Sequence, residues 1–364
     1  MVSQIKISAP GRICLFGEHQ DYLGLSVIPA AINIRCYIEG TPNNSGKIIL
    51  NDEGFNKKIE IPFHSKFLNT PHNLSSDDYF KAVCNIFMKK GYFKNLKHNY
   101  GFIGRLWNEI PQQSGLSSSA AILVVFAKLM DEILHLGLNE REIAQCAYLA
   151  EHDEMGIPCG QMDQLSVSLG NVFHMKCLTP PVITKIDHDI PGLVVGNTLI
   201  PKSTNTVHSV RVKEIHEAIN FLKTKIKFNI YKTTFEEAED YLTNKNEIWL
   251  KRIRATLKNR DITAEANIEL KKSDPDLKYI GDLLNEHQNY LRDDFEVSVE
   301  KIDRMIDAGI KAGAYGGKLT GAGMGGSIIM LAPRNQKKVA KALTKAGGLG
   351  FSVKIDEGVR FETN

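Results

Sequence analysis

Apolar residues in this chain fall into runs of two periods, and the longest run organises the reading of the rest. Residues 120–130 are apolar at every position but Lys128, which predicts a helix buried on all sides. Just before it come Gly115, Leu116, Ser117, Ser118 and Ser119. A glycine free to take positive φ, then three serines, leaves unpaired N–H groups and the positive helix end at one point. Such a point suits a phosphate, and it equally suits an ordinary serine-capped core helix. The segment alone leaves both open.

Upstream, residues 5–8 predict a short strand, Ala-Pro-Gly-Arg at 9–12 a turn, and 13–16 a second, buried strand. Residues 27–38 predict a strand with an irregular start at Pro29, and 47–51 with 57–61 alternate like hairpin arms. Helical spacing marks 79–90, and a strand at 101–110 runs into Pro111. Asn139 and Glu142 are spaced as a capping box for a helix reaching about 152. Strands follow at 171–177 and 193–200, with helices at 208–225, 234–258, 278–292 and 298–312. A strand at 327–331, a helix at 335–346 and a strand at 350–355 finish the chain. The class is α/β (α+β). The Pro- and Asp-containing stretch 178–192 marks a boundary between domains 1–185 and 193–364.

Polar chemistry gathers at three places. Glu18, His19 and Asp21 lie within four residues, between Gly17 and Gly24, as either a solvated loop or a polar site. Asp163 follows a Gly- and Pro-containing approach at 156–160 and stands among Met162, Leu165, Val167 and Leu169. A lone carboxylate in apolar company is costly without a partner, which favours a functional group over a cap. Residues 321–326 satisfy G-x-G-x-x-G, but a dinucleotide site needs a helix opening on those glycines, and here a strand follows.

The chain has 364 residues, 43% apolar and 24% charged, enough for sizeable cores. A net charge of +3 and pI near 8.4 give no case for nucleic acid or an anionic membrane as partner. No apolar run reaches the length of a membrane span, and the first residues hold no apolar signal core. The six cysteines, at 14, 36, 84, 146, 159 and 177, form no Cys-x-x-Cys pair, as expected of reduced thiols in a cytoplasmic enzyme.

Four segments, in order, resemble the GHMP small-molecule kinases, and within them the galactokinases. Ala9-Pro10-Gly11-Arg12 with Gly17-Glu18-His19 and Asp21-Tyr22 resembles the first family motif. Ser114 to Ala120 resembles the second, the phosphate loop, and Lys318 to Gly326 the third. Residues 156–164 are similar to the segment that carries the catalytic aspartate. The resemblance spans nearly the whole chain. It implies two α/β domains with the site in the cleft between them, and ATP and Mg²⁺ as cofactors. It implies Asp163 and Arg12 as catalytic residues, and Glu18, His19, Asp21 and Gly160 around a sugar. It implies Gly115, Leu116, Ser117, Ser118, Ser119, Gly321 and Gly323 around ATP, and Ser119 with Glu151 on the metal. An arginine facing Asp163 would favour its carboxylate form. A small-molecule sugar is the expected substrate, with the protein a monomer or weak dimer.

Departures bear on the sugar rather than on the phosphoryl transfer. Cys14 and Phe16 stand where galactokinases usually carry Asn and Ile, and Gln112-Gln113 replaces a glycine-containing approach to the phosphate loop. Ser76 falls near where a tryptophan would face adenine, and no tyrosine follows 205–209. Three readings stand beside one another: a kinase forming a sugar 1-phosphate, a kinase for a related sugar or an alcohol such as mevalonate or homoserine, and an inactive sugar sensor. Glu18, His19 and Asp21 favour a polyhydroxyl substrate, and retention of Asp163, Arg12 and the serines favours an active enzyme.

Overall fold

The computed structural model describes residues 4–62, 68, 77–93, 100–201 and 209–362, with the backbone of 76 and 205–208. The departures read at Ser76 and at 205–208 concern side chains outside the described residues. The strands are β1 (Ile5–Phe16), β2 (Ser26–Asn43), β3 (Lys47–Asp52), β4 (Lys57–Pro62), β5 (Gly101–Asn108), β6 (Val172–Lys176), β7 (Val182–Ile186) and β8 (Leu193–Asn197). They continue with β9 (Gly316–Thr320), β10 (Ser327–Leu331), β11 (Leu349–Ser352) and β12 (Arg360–Phe361). The helices are α1 (Ser76–Lys89), α2 (Ser118–Leu134), α3 (Glu140–Leu149), α4 (Met162–Leu169), α5 (Asn205–Lys223), α6 (Phe235–Leu242), α7 (Glu247–Glu269), α8 (Leu277–Asp293), α9 (Glu300–Lys311) and α10 (Gln336–Lys345).

Two sheets result. The larger runs β12-β1-β2-β5-β3-β4, and β6 pairs with the start of β2 and with β7. The smaller runs β11-β8-β10-β9, all antiparallel. Among the described residues, only β3 and β5 pair in parallel in the larger sheet. The expected all-apolar helix is α2, which packs on β1 and β2 and is buried at nearly every position from Ala120 to Met130. One core fills the space between the larger sheet and α1–α3. A second surrounds the smaller sheet and α5–α7 and α9. No helix among the described residues is long and apolar enough to cross a membrane. All six cysteines are free thiols.

The capping box of Asn139 and Glu142 is present, and the 47–62 hairpin forms as read. Four readings change. The strands at 5–8 and 13–16 are one strand, β1, and Ala-Pro-Gly-Arg is a register irregularity at Pro10/Gly11 rather than a turn. Proline brings no N–H to the ladder, so an irregularity accommodates it. The pattern at 234–258 is two helices, since Asn246 accepts from Trp249 N at 3.1 Å and starts α7 afresh. The stretch 178–192 contains β7, paired with β6. The glycines at 316 and 317 hid a strand, β9, whose residues approach neighbours too closely for side chains there.

Candidate active site

Three segments meet at the N-terminus of α2. Gly115 has φ +77° and Ser117 φ +61°, a left-handed conformation that costs a non-glycine residue about 1–2 kcal/mol. No side chain caps the helix, so its first N–H groups keep no intrahelical or capping partner. The three serines then face three ways. Ser117 Oγ donates to Asp163 Oδ2 at 2.7 Å, Ser118 Oγ accepts from Asn108 Nδ2 at 2.9 Å, and Ser119 Oγ donates to Glu151 Oε1 at 3.0 Å. Leu116 points its side chain into the core, and its carbonyl accepts from Arg12 N at 3.1 Å.

Arg12 stands on β1 beside this loop and is almost wholly buried. Its Nε donates to Asp163 Oδ1 at 2.8 Å and its Nη2 to Asp163 Oδ2 at 2.7 Å, while Nη1 donates to Gly115 O. The guanidinium thus ties the loop at Gly115 to the carboxylate in the first turn of α4. A bidentate fork fixes the carboxylate plane as a lysine could not. Asp163 keeps 30% of its side chain exposed.

Glu151 lies on a π-helical turn, Ala150–Glu154, that continues α3. Such turns often mark functional sites. Its Oε2 accepts from Gln164 Nε2 at 2.6 Å, one residue past Asp163. Among the described residues no group of three His, Cys, Asp or Glu converges as a metal cage. A hydroxyl and a carboxylate are hard oxygen donors, and magnesium takes one or two such ligands with phosphates and water. The Ser119–Glu151 pair fits that ion.

The third segment is the glycine-rich turn between β9 and β10. A Cβ at Gly321 would stand 3.4 Å from Gly115 O, and one at Gly326 would stand 3.0 Å from Ser114 O. These glycines let the turn lie directly on the loop at Ser114 and Gly115. A Cβ at Gly323, with φ +79°, would fall on Val297 O. The same turn holds the 17–24 loop, because His19 Nε2 bonds Ala322 O at 3.1 Å. A carbonyl only accepts, so Nε2 carries the proton, and Nδ1 accepts from the Tyr22 hydroxyl at 3.3 Å. The His19 ring also stacks on Phe295, with centroids 5.2 Å apart. Both ring nitrogens therefore have protein partners, and His19 anchors the loop. Asp21 abuts Gly160, where a Cβ would stand 2.5 Å from Asp21 Oδ2.

Glu18 is buried to 3% exposure and pairs with Lys318 on β9. Burial pushes the Glu18 carboxyl above its ordinary range, against the pull of Lys318. Its Oε2 is buried without a hydrogen-bond partner. Close by, His287 is fully buried against the Phe16 ring, centroids 6.0 Å apart, and burial holds it neutral. Sequence reasoning gave no role to Lys318, Gln164, Tyr22 or Phe295.

The sequence matches the GHMP kinases N-terminal domain at residues 78–171 and the GHMP kinases C-terminal domain at 265–349. It also matches the galactokinase galactose-binding signature at residues 3–42. The galactokinase of Lactococcus lactis subsp. cremoris is 30% identical over 335 residues, 89% of this chain and 82% of that protein. The chain belongs to the galactokinase family of GHMP kinases. Clostridium acetobutylicum galactokinase is 29% identical over 89% of this chain and 84% of that one. The crystal structure of Lactococcus lactis galactokinase with galactose superposes with a TM-score of 0.84, at 26% identity over 98% of this chain and 95% of that chain. The Methanococcus jannaschii mevalonate kinase structure, at 22% identity and TM-score 0.74 over 98% and 99%, shares the fold. As a member of this family the chain is a phosphotransferase that uses ATP and acts on a sugar hydroxyl.

Proposed function

We propose that this kinase transfers the γ-phosphate of ATP to the anomeric hydroxyl of galactose, giving galactose 1-phosphate and ADP. The observation that supports the reading is the single connected unit of Ser117, Asp163, Arg12 and Gly115, in which a carboxylate stands beside the loop that opens α2. The galactokinase names of the relatives, and the galactose in the Lactococcus lactis structure, point to the sugar.

The ATP phosphates lie on the free N–H groups of residues 115–119, with Gly321 and Gly323 closing over them. Ser119 and Glu151 would hold a Mg²⁺ ion, which would supply positive charge beside the phosphates. Glu18 and Asp21 accept hydrogen bonds from sugar hydroxyls, Gly160 leaves the sugar room beside Asp21, and His19 holds that loop in place. Asp163 takes the proton of the anomeric hydroxyl as that oxygen attacks the γ-phosphorus and the bond to ADP breaks. Arg12 keeps the carboxylate oriented and offers positive charge near the transferring group. Positioning and charge stabilisation dominate such transfers. The site lies between domains 1–185 and 193–364, and six unpaired thiols favour a reducing cytoplasm.

A panel of ATP turnover with free hexoses, pentoses, uronic acids and amino sugars, plus mevalonate and homoserine, tests the reading. Galactose is expected to give the highest kcat/KM. Turnover of mevalonate or homoserine alone, or of nothing, would overturn it.

A further inference from the structure

Lys318 sits on β9 with its ammonium wholly inside the protein. It has three acceptors: Glu18 Oε1, Cys14 O at 3.1 Å and Leu319 O at 2.9 Å. An ammonium has three N–H donors, so all of them are used. A lysine next to a glycine-rich phosphate turn invites a phosphate-binding role, but this one has no donor left for a phosphate oxygen. Its neighbour Thr320 reinforces the same junction, accepting at Oγ1 from Cys14 N at 2.9 Å. Lys318 and Thr320 thereby stitch β9 to β1 at Cys14, one turn of chain before Glu18. The Glu18 carboxylate is left with one oxygen taken and the other, Oε2, buried and without a partner.

We propose that Lys318 is a positioning residue for sugar selection: it fixes Glu18 so that Oε2 alone remains as a buried acceptor for one sugar hydroxyl. A buried acceptor that only the correct hydroxyl can satisfy rejects analogues that lack it. Lys318 touches neither sugar nor ATP and acts through Glu18. This inference rests on the sugar-kinase reading above.

A double-mutant cycle tests it, with kcat/KM for galactose and KM for ATP measured on wild type, Lys318→Met, Glu18→Gln and the double variant. Lys318→Met is expected to lower kcat/KM for galactose by about tenfold or more, with KM for ATP unchanged. Glu18→Gln is expected to do the same, and the double variant to fall no further than Glu18→Gln alone. A raised KM for ATP would assign Lys318 to phosphate instead. Losses that multiply in the double variant would show Lys318 acting independently of Glu18, and either result overturns the proposal. Should Lys318→Met fail to fold, since it leaves a buried charge unpaired, the double variant removes both charges, and its comparison with Glu18→Gln decides. If wild type phosphorylates another sugar and not galactose, the substrate reading fails, and the same cycle on that sugar still decides the role of Lys318.

Discussion

Arg12 grips both oxygens of Asp163, with Nε on Oδ1 at 2.8 Å and Nη2 on Oδ2 at 2.7 Å. The same guanidinium reaches Gly115 O, so one side chain joins the carboxylate to the loop that opens α2. Asp163→Asn keeps the size but removes the base. Its kcat should fall by about 10²–10⁴-fold, with galactose still bound, as read by steady-state kinetics and calorimetric titration. A folded variant with near-normal kcat would leave Asp163 only an orienting role.

Ser119 and Glu151 meet at 3.0 Å across the gap between α2 and the π-helical turn. Ser119→Ala should raise the Mg²⁺ concentration for half-maximal turnover by on the order of tenfold, the value of one hydrogen bond or ligand to a charge. KM for galactose should stay unchanged. A titration of rate against magnesium at fixed ATP reads this directly, and unchanged magnesium demand would remove Ser119 from the metal.

Gly323 combines a positive φ with a backbone oxygen where its Cβ would be, whereas Gly137 has φ +71° and open space around it. Gly323→Ala should therefore lower Tm more than Gly137→Ala, whose loss is conformational strain of about 1–3 kcal/mol. The excess measures how tightly the glycine turn lies on the segment at Val297. Equal shifts in a thermal melt would contradict that close approach.

His287 is buried beside Phe16, Lys318 and His19, and burial first, then Lys318, depress its pKa well below 6.5. In the unfolded chain it titrates near 6.5, so below that pH the unfolded state binds the extra proton. Stability should be fully present above about pH 6.5 and fall as pH drops. His287→Phe should flatten that part of the Tm-against-pH curve, whatever its effect at pH 8. An unchanged slope would mean His287 is protonated in the folded protein.

Much of the site was legible because its parts are local. The serine run opening an apolar helix, the capping box before Glu151 and the lone acid at 163 each show in a few neighbouring residues. What failed to show depends on residues far apart. Lys318 meets Glu18 across 300 positions, and nothing near either one announces the pair. The tie of His19 to the glycine turn was hidden for the same reason, since its partner Ala322 lies on another sheet's turn. In the fold, Ala-Pro-Gly-Arg reads as a turn because its local preferences favour one, and the glycines at 316 and 317 carry no strand signal. The pairing of β1 with β2 and of β9 with β10 overrides them.

The position of the transferred phosphate speaks most directly to the chemistry assigned to Asp163. Wild-type enzyme, galactose and Mg·ATP are incubated, and the product is examined by phosphorus–proton correlation NMR. Phosphorus coupled to the anomeric proton is expected, with ADP formed in equal amount. A phosphate coupled to the C6 protons, or ADP formed without any sugar phosphate, would contradict it.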